Sequence, residues 1–443
     1  MAKEDKKAIA GINKDISKMP LQQIFFGAPG TGKSDTIDRI VQNIPHTRTT
    51  FHPDSDYASF VGAYKPSMSN LSSTQSLIQS EDDLAKELSS YYNDAQLGKI
   101  GGIQKFCLDY YPYIDGEYMS VNVSKLLQTA GVSDNYGVEI NKYLKFCRML
   151  PKHEDNKIEY KFIPQAFLKA YCAAWKQMPE PYFLVIEEIN RGNCAQIFGD
   201  LFQLLDRNDR GYSKYEITAD DDIRKFLSTD TKIGFGALTD KQKKQFHKDS
   251  VWKGKELVLP PNLRLWATMN TSDQSLFPID SAFKRRWEWK YIKITKGYAK
   301  DEVGNYKKGE DGNKIPLNWK IETNGQDWWG FIQQINKIIS NMTSSADKQL
   351  GYFFCQANKT GKIETETFVS KVLFYLWNDV FKDYGFDDAS LFRYKKQEDG
   401  KEVEDDLTFP DFYDEDGDVL PEVVTQFIEH VMNWKGDEKN DRD

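Results

Sequence analysis

The octapeptide Gly27-Ala28-Pro29-Gly30-Thr31-Gly32-Lys33-Ser34 constrains the fold of this chain more than any other segment. It follows a short apolar run, Ile24-Phe25-Phe26, and precedes apolar residues at helical spacing, Ile37, Ile40 and Val41. A strand, a glycine-rich loop and a helix in that order make a phosphate-binding loop, whose backbone N–H groups and helix N-terminus converge on an anion. The glycines let the backbone wrap around phosphate oxygens. Lys33 is placed to reach the β- and γ-phosphates, and the Ser34 hydroxyl to sit on Mg²⁺. The segment predicts an α/β core that binds a nucleoside triphosphate.

Two later strands supply the chemistry that such a loop needs. The apolar run Tyr182-Phe-Leu-Val-Ile186 ends in Glu187-Glu188-Ile189-Asn190-Arg191-Gly192-Asn193. A buried strand delivering two acids at its carboxyl end is a Walker B pattern, in which one carboxylate orients hydrated Mg²⁺ and the other polarises the attacking water. A third run, Leu263-Arg-Leu-Trp-Ala-Thr268, ends in Met269-Asn270-Thr271-Ser272-Asp273. The Asn270 amide is suited to hold the lytic water, although an asparagine capping a turn leaves the same trace. Asp280, Lys284, Arg285 and Arg286 precede the strand-like Trp287-Glu-Trp-Lys-Tyr291. A basic triplet is ordinarily a solvated surface. One short helix past the third strand, however, is where ring NTPases place a finger against transition-state charge across a subunit boundary.

At 443 residues the chain has room for two or three domains. Its 59 basic and 67 acidic residues leave a net charge of −8, which argues against bulk electrostatic binding of nucleic acid and leaves room only for a local basic patch. The five cysteines are scattered without a CxxC pair, so they read as reduced, mostly buried thiols. The five histidines are dispersed and suggest no zinc site. No segment reads as a membrane span, and the first ten residues are charged where a signal peptide is apolar. A soluble, cytoplasmic protein is expected.

The remaining segments divide by texture. Residues 1–20 form a polar lead-in, and 21–66 with 160–295 form the nucleotide core. Residues 67–159 alternate Ser/Asn-rich runs with amphipathic spacing at Leu84, Leu88, Tyr91 and Tyr92, which predicts an inserted, mainly helical subdomain. Its tyrosines Tyr110, Tyr111 and Tyr113 read as a core or partner face ahead of a base-stacking platform. Residues 296–443 carry three apolar helical stripes, beginning at Trp328, at Phe368 (ended by Gly385) and at Val423, and are expected to form a helical lid. The acidic stretch 397–418 is expected to be a solvated loop.

The order of these motifs resembles one family, the AAA+ GTPase subunit McrB of modification-dependent restriction systems. The shared blocks are Gly27–Ser34, Phe51-His52 with Tyr57-Ala-Ser-Phe60 and Gly62-Ala-Tyr64-Lys-Pro66, then Glu187–Asn193, Ile197–Leu201 and Leu204–Asp206. The last block runs from Pro261-Asn262-Leu263 through Met269-Asn-Thr-Ser-Asp273 to Asp280 and Arg285-Arg286-Trp287. Leu350-Gly-Tyr-Phe-Phe354 is a fainter echo. The resemblance implies an AAA+ P-loop NTPase core, a doubly wound parallel sheet with an α-helical C-terminal lid, assembled into a ring that is commonly a hexamer. By position it assigns Lys33 and Ser34 to phosphates and Mg²⁺, Glu187 to the metal, Glu188 to the attacking water and Asn270 to a sensor role. Asp273 completes the signature, and Arg285 becomes the trans finger with Arg286 beside it. It also implies GTP or ATP as substrate, a McrC-like nuclease partner, and DNA contacted through the complex.

Three departures qualify the resemblance. Glu187 stands where the family has aspartate, and Gln274 where it has arginine. Only about twenty residues precede the first strand, so DNA reading is expected to fall to the 67–159 insert or to another chain, or else the subunit is a truncated form. Other functions compatible with the residues are an ATP-driven remodeller of the MoxR or dynein-related kind and a nucleotide-gated scaffold with little turnover. A self-contained nuclease built on Glu159-Tyr-Lys161 or Glu288-Trp-Lys290 lacks a convincing upstream metal-binding aspartate.

Overall fold

A computed structural model describes residues 16, 18–69, 80–110, 114, 121–149, 157–271, 277–301, 304–343, 345–382, 391–398 and 401–434. The chain divides into two compact units, Met1–Ala63 with Pro164–Asp443, and Tyr64–Ile163.

The first unit is built on five parallel strands: β1 (Gln22–Gly27), β2 (His46–Thr50), β3 (Tyr182–Glu187), β4 (Leu263–Asn270) and β5 (Glu288–Tyr291). Their order is β2-β3-β4-β1-β5. Parallel neighbours cannot be joined by tight turns, so crossover helices such as α1 (Lys33–Val41) and α2 (Ala166–Gln177) return the chain to the same edge. β1 and β4 are neighbours whose chains depart in opposite directions, to β2 and to β5. The crevice beyond their carboxyl ends is therefore the switch point at which open α/β sheets bind ligands.

Burial explains why these runs are strands. β3 and β4 are covered on both faces, so their apolar character is almost continuous. β2 lies at the sheet edge and alternates exposed and half-buried residues. Phe25, Phe183 and Trp266 interlock, with the Trp266 ring 5.2 Å from Phe25 and 4.9 Å from Phe183, above Ile37 and Val41 of α1. Each such side chain contributes about 1.5–3 kcal/mol through burial.

The C-terminal part has its own apolar core. Helices α3 (Trp328–Thr343) and α4 (Pro421–Asn433) share it with a helix from Thr365 to Val380 that contains π-type turns. Gly385 falls outside the described residues. The acidic stretch is more ordered than a solvated loop: Arg393–Glu398 pairs antiparallel with Lys401–Asp406, and Phe412 is buried beyond them.

The second unit holds helices Glu81–Tyr92, Gly98–Asp109, Val123–Thr129 and Gly137–Met149 around Leu84, Leu88, Ile103, Phe106, Leu126 and Ile140. A Cβ on Gly102 would stand 2.0 Å from the Tyr91 carbonyl oxygen, so only glycine permits that helix approach. Tyr110 is 2% exposed and donates to Glu87 Oε2 at 3.0 Å, which makes it core and unavailable for stacking on bases. Tyr111 and Tyr113 lie outside the described residues. Among the described residues, no helix is long and apolar enough to cross a membrane.

Candidate active site

The loop after β1 is shaped by its glycines. Gly30 (φ 74°) and Gly32 (φ 82°) adopt left-handed conformations, and Gly32 caps α1. Thr31 Oγ1 donates to Ala28 O at 3.0 Å. Lys33 is buried, and its ammonium donates to the carbonyls of Gly27 and Ala28 at 3.0 and 2.9 Å. The segment echoed at Leu350–Phe354 docks on this loop: Gly351 N–H donates to Pro29 O at 2.8 Å and Phe353 N–H to Gly30 O at 2.9 Å. Asn336 of α3 holds Leu350 through both its amide atoms, at 2.8 and 2.7 Å. The C-terminal core is thus tied directly to the loop backbone.

Strand register brings the remaining groups to the same edge. Asn270 pairs with Gly27 across β4 and β1, and Glu187 with Thr50 across β3 and β2. Ser34 Oγ donates to Glu187 Oε2 at 2.8 Å, and the Thr268 hydroxyl donates to the same oxygen. The same Thr268 oxygen accepts the Glu188 N–H at 3.1 Å. Glu188 has φ 53° and ψ 52° and is the one non-glycine with positive φ among the described residues. Such backbone strain costs about 1–3 kcal/mol and persists where the surroundings over-determine it. Here Asn270 Nδ2 donates to Glu188 Oε1 at 2.7 Å, and Asn190 Nδ2 donates to Asn270 O at 2.8 Å.

Arg285 and Arg286 lie at the opposite end of the sheet. Glu288 pairs with Gln23, and Gln22 Nε2 donates to Arg286 O at 3.0 Å. Both arginines are therefore level with the start of β1, roughly 16 Å along the strand from Gly27. The structure parts the two. Arg286 is bound to Asp206 Oδ2 at 2.7 and 3.1 Å and lies 3.9 Å from the Phe202 ring centroid, with its side chain 8% exposed. That guanidinium is committed within its own chain, contrary to its expected place beside Arg285 at a phosphate. Arg285 is exposed and borders an open cleft of ≈ 390 Å³ that also includes Lys18 and Glu288. Burial lowers the Arg207 guanidinium to about 9, and that group anchors the region through Gln22 Oε1 at 3.2 Å and Leu263 O at 3.0 Å. Asp273 and Gln274 fall outside the described residues. Glu288 and Lys290 sit on the outer strand β5, the latter over the Phe25 ring at 5.4 Å.

The donor set suits magnesium, a hard cation that takes oxygen ligands. A hydroxyl and a carboxylate stand 2.8 Å apart at the mouth of the phosphate loop, with a second carboxylate next in sequence. Thr268 and Arg48 belong to none of the motifs, whereas Asn190 lies inside the Glu187–Asn193 block with no role marked for it. The signal in the sequence is Thr268, a polar residue near the carboxyl end of an apolar strand.

No family model matches the chain. It is 30% identical over 373 residues to the type II restriction enzyme BsuMI component YdiS of Bacillus subtilis (strain 168), over 83% of this chain and 81% of that protein. It is 23% identical over 236 residues to the EcoKMcrB subunit of a type IV methyl-directed restriction enzyme of Escherichia coli (strain K12). The second match spans 51% of this chain and 41% of that protein. The first similarity extends over four-fifths of both proteins and accompanies the strand order and loop described above: the chain belongs to the McrB-like AAA+ proteins of restriction systems.

Proposed function

We propose that this chain hydrolyses GTP or ATP with Mg²⁺ and serves as the ring-forming motor subunit of a McrBC-like restriction complex in antiphage defence. The observation that carries the proposal is the unbroken hydrogen-bonded path Ser34–Glu187–Thr268–Glu188–Asn270, which runs from the phosphate loop to both acids and the amide. Mg²⁺, when bound, would neutralise negative charge on the phosphates. The N–H groups of Gly30–Lys33 and the Lys33 ammonium cradle the phosphates, and Ser34 and Glu187 hold the metal and its water. Glu188 accepts the proton of the attacking water, which Asn270 orients, and Asp273 completes the signature.

Arg285, remote from its own loop, serves a neighbouring subunit's γ-phosphate, a role that requires a ring, commonly a hexamer. A McrC-like nuclease completes the complex, and DNA is engaged through the assembly. The test measures phosphate release from GTP and from ATP with Mg²⁺, together with the particle mass. Turnover and a multimeric mass support the proposal; a monomer without turnover alone and with a McrC-like partner refutes it.

A further inference from the structure

The Glu187 carboxylate is gripped by three structural elements. Ser34 of α1 and Thr268 of β4 donate to Oε2, while Arg48 of β2 donates to Oε1. A second guanidinium nitrogen of Arg48 pairs with Asp38. Ser34 and Asp38 are one turn apart on α1, so Ser34, Glu187, Arg48 and Asp38 close a ring joining α1, β2 and β3. The register places Arg48 opposite Val185, two residues short of Glu187, so its long side chain reaches along the strand to the carboxylate.

A glutamate has one more rotatable bond than an aspartate, and a free one spreads its carboxylate over several positions. A planar guanidinium with fixed, directional donors removes that freedom as a lysine ammonium would not. A cation beside a metal site would ordinarily repel the metal. Asp38 offsets that charge, and Arg48 takes Oε1, leaving Oε2 to Ser34 of the phosphate loop and to Thr268.

We propose that Arg48, braced by Asp38, is a positioning residue that allows a glutamate to act as the metal-orienting acid of this chain. The proposal rests on the Mg²⁺–nucleotide function above. Its test is a Mg²⁺ titration of fluorescent GTP and ATP analogues binding to the full chain. Arg48→Ala is expected to bind nucleotide in EDTA as the wild type does, while its half-saturating Mg²⁺ rises about 10- to 100-fold, as for lost outer-shell partners elsewhere. Arg48→Lys recovers part of that loss, and Glu187→Asp in the Arg48→Ala background lowers the Mg²⁺ requirement again. Arg48→Met, which keeps the aliphatic stem, replaces Arg48→Ala if the latter fails to fold. An unchanged or lowered Mg²⁺ requirement in a folded Arg48 variant overturns the proposal. A wild-type chain that binds neither analogue overturns the nucleotide function itself, and this proposal with it.

Discussion

Thr268→Val is the most discriminating perturbation of the site, because it removes one hydroxyl that serves both acids without changing the volume of the side chain. Thr268 is 1% exposed, so valine fills the same space in the β4 layer. Two interactions disappear: the charge-assisted bond to Glu187, worth about 1.5–3 kcal/mol, and the acceptor for the Glu188 N–H, worth about 1 kcal/mol. A stability loss of about 3 kcal/mol follows, measured by chemical denaturation. The left-handed turn at Glu188 relaxes and the carboxylate departs from Asn270. If about 2.7 kcal/mol of that positioning is lost in the transition state, kcat falls about 100-fold. Nucleotide affinity changes little, since Thr268 forms no hydrogen bond with the phosphate loop. Thr268→Ser keeps the hydroxyl and is expected to retain activity within several-fold despite the lost methyl. Steady-state phosphate release with a parallel binding titration decides the matter. A Thr268→Val protein turning over at the wild-type rate would refute the claim that this hydroxyl orients the acids.

Glu188→Gln is expected to bind nucleotide normally and to lose turnover by about two to four decades, the span of general-base contributions; phosphate release at the wild-type rate refutes its role. Arg285→Ala should abolish hydrolysis with unaltered thermal stability, and mixing it with Glu188→Gln should restore activity if the finger acts between subunits. Arg286→Ala should instead destabilise the fold by about 1.5–3 kcal/mol, because it removes the charge-assisted bonds to half-buried Asp206, and a denaturation midpoint equal to that of Arg285→Ala counts against this. Gly30→Ala should disable nucleotide binding, since its Cβ would stand 2.3 Å from the Phe354 nitrogen at a left-handed φ, and wild-type affinity would contradict the loop geometry.

What the sequence determined by itself was local. The phosphate loop, the three apolar strands and the helical stripes are patterns of neighbours within one element, set by backbone freedom at glycine and by the period of burial. They suffice for an α/β nucleotide-binding core and for Ser34, Glu187, Glu188 and Asn270 as candidates; the AAA+ assignment came from the order of motifs shared with a known family. The tertiary structure alone decided which side chains share an atom. Thr268 meets Glu187 across 81 residues of chain and Arg48 meets it across 139, through strand registers that no local period encodes. It also distinguished Arg285 from Arg286, which border the same cleft: one guanidinium is exposed, while the other is paired with Asp206 and nearly buried. The antiparallel pairing of Arg393–Glu398 with Lys401–Asp406 is likewise a register between two segments that no local period encodes.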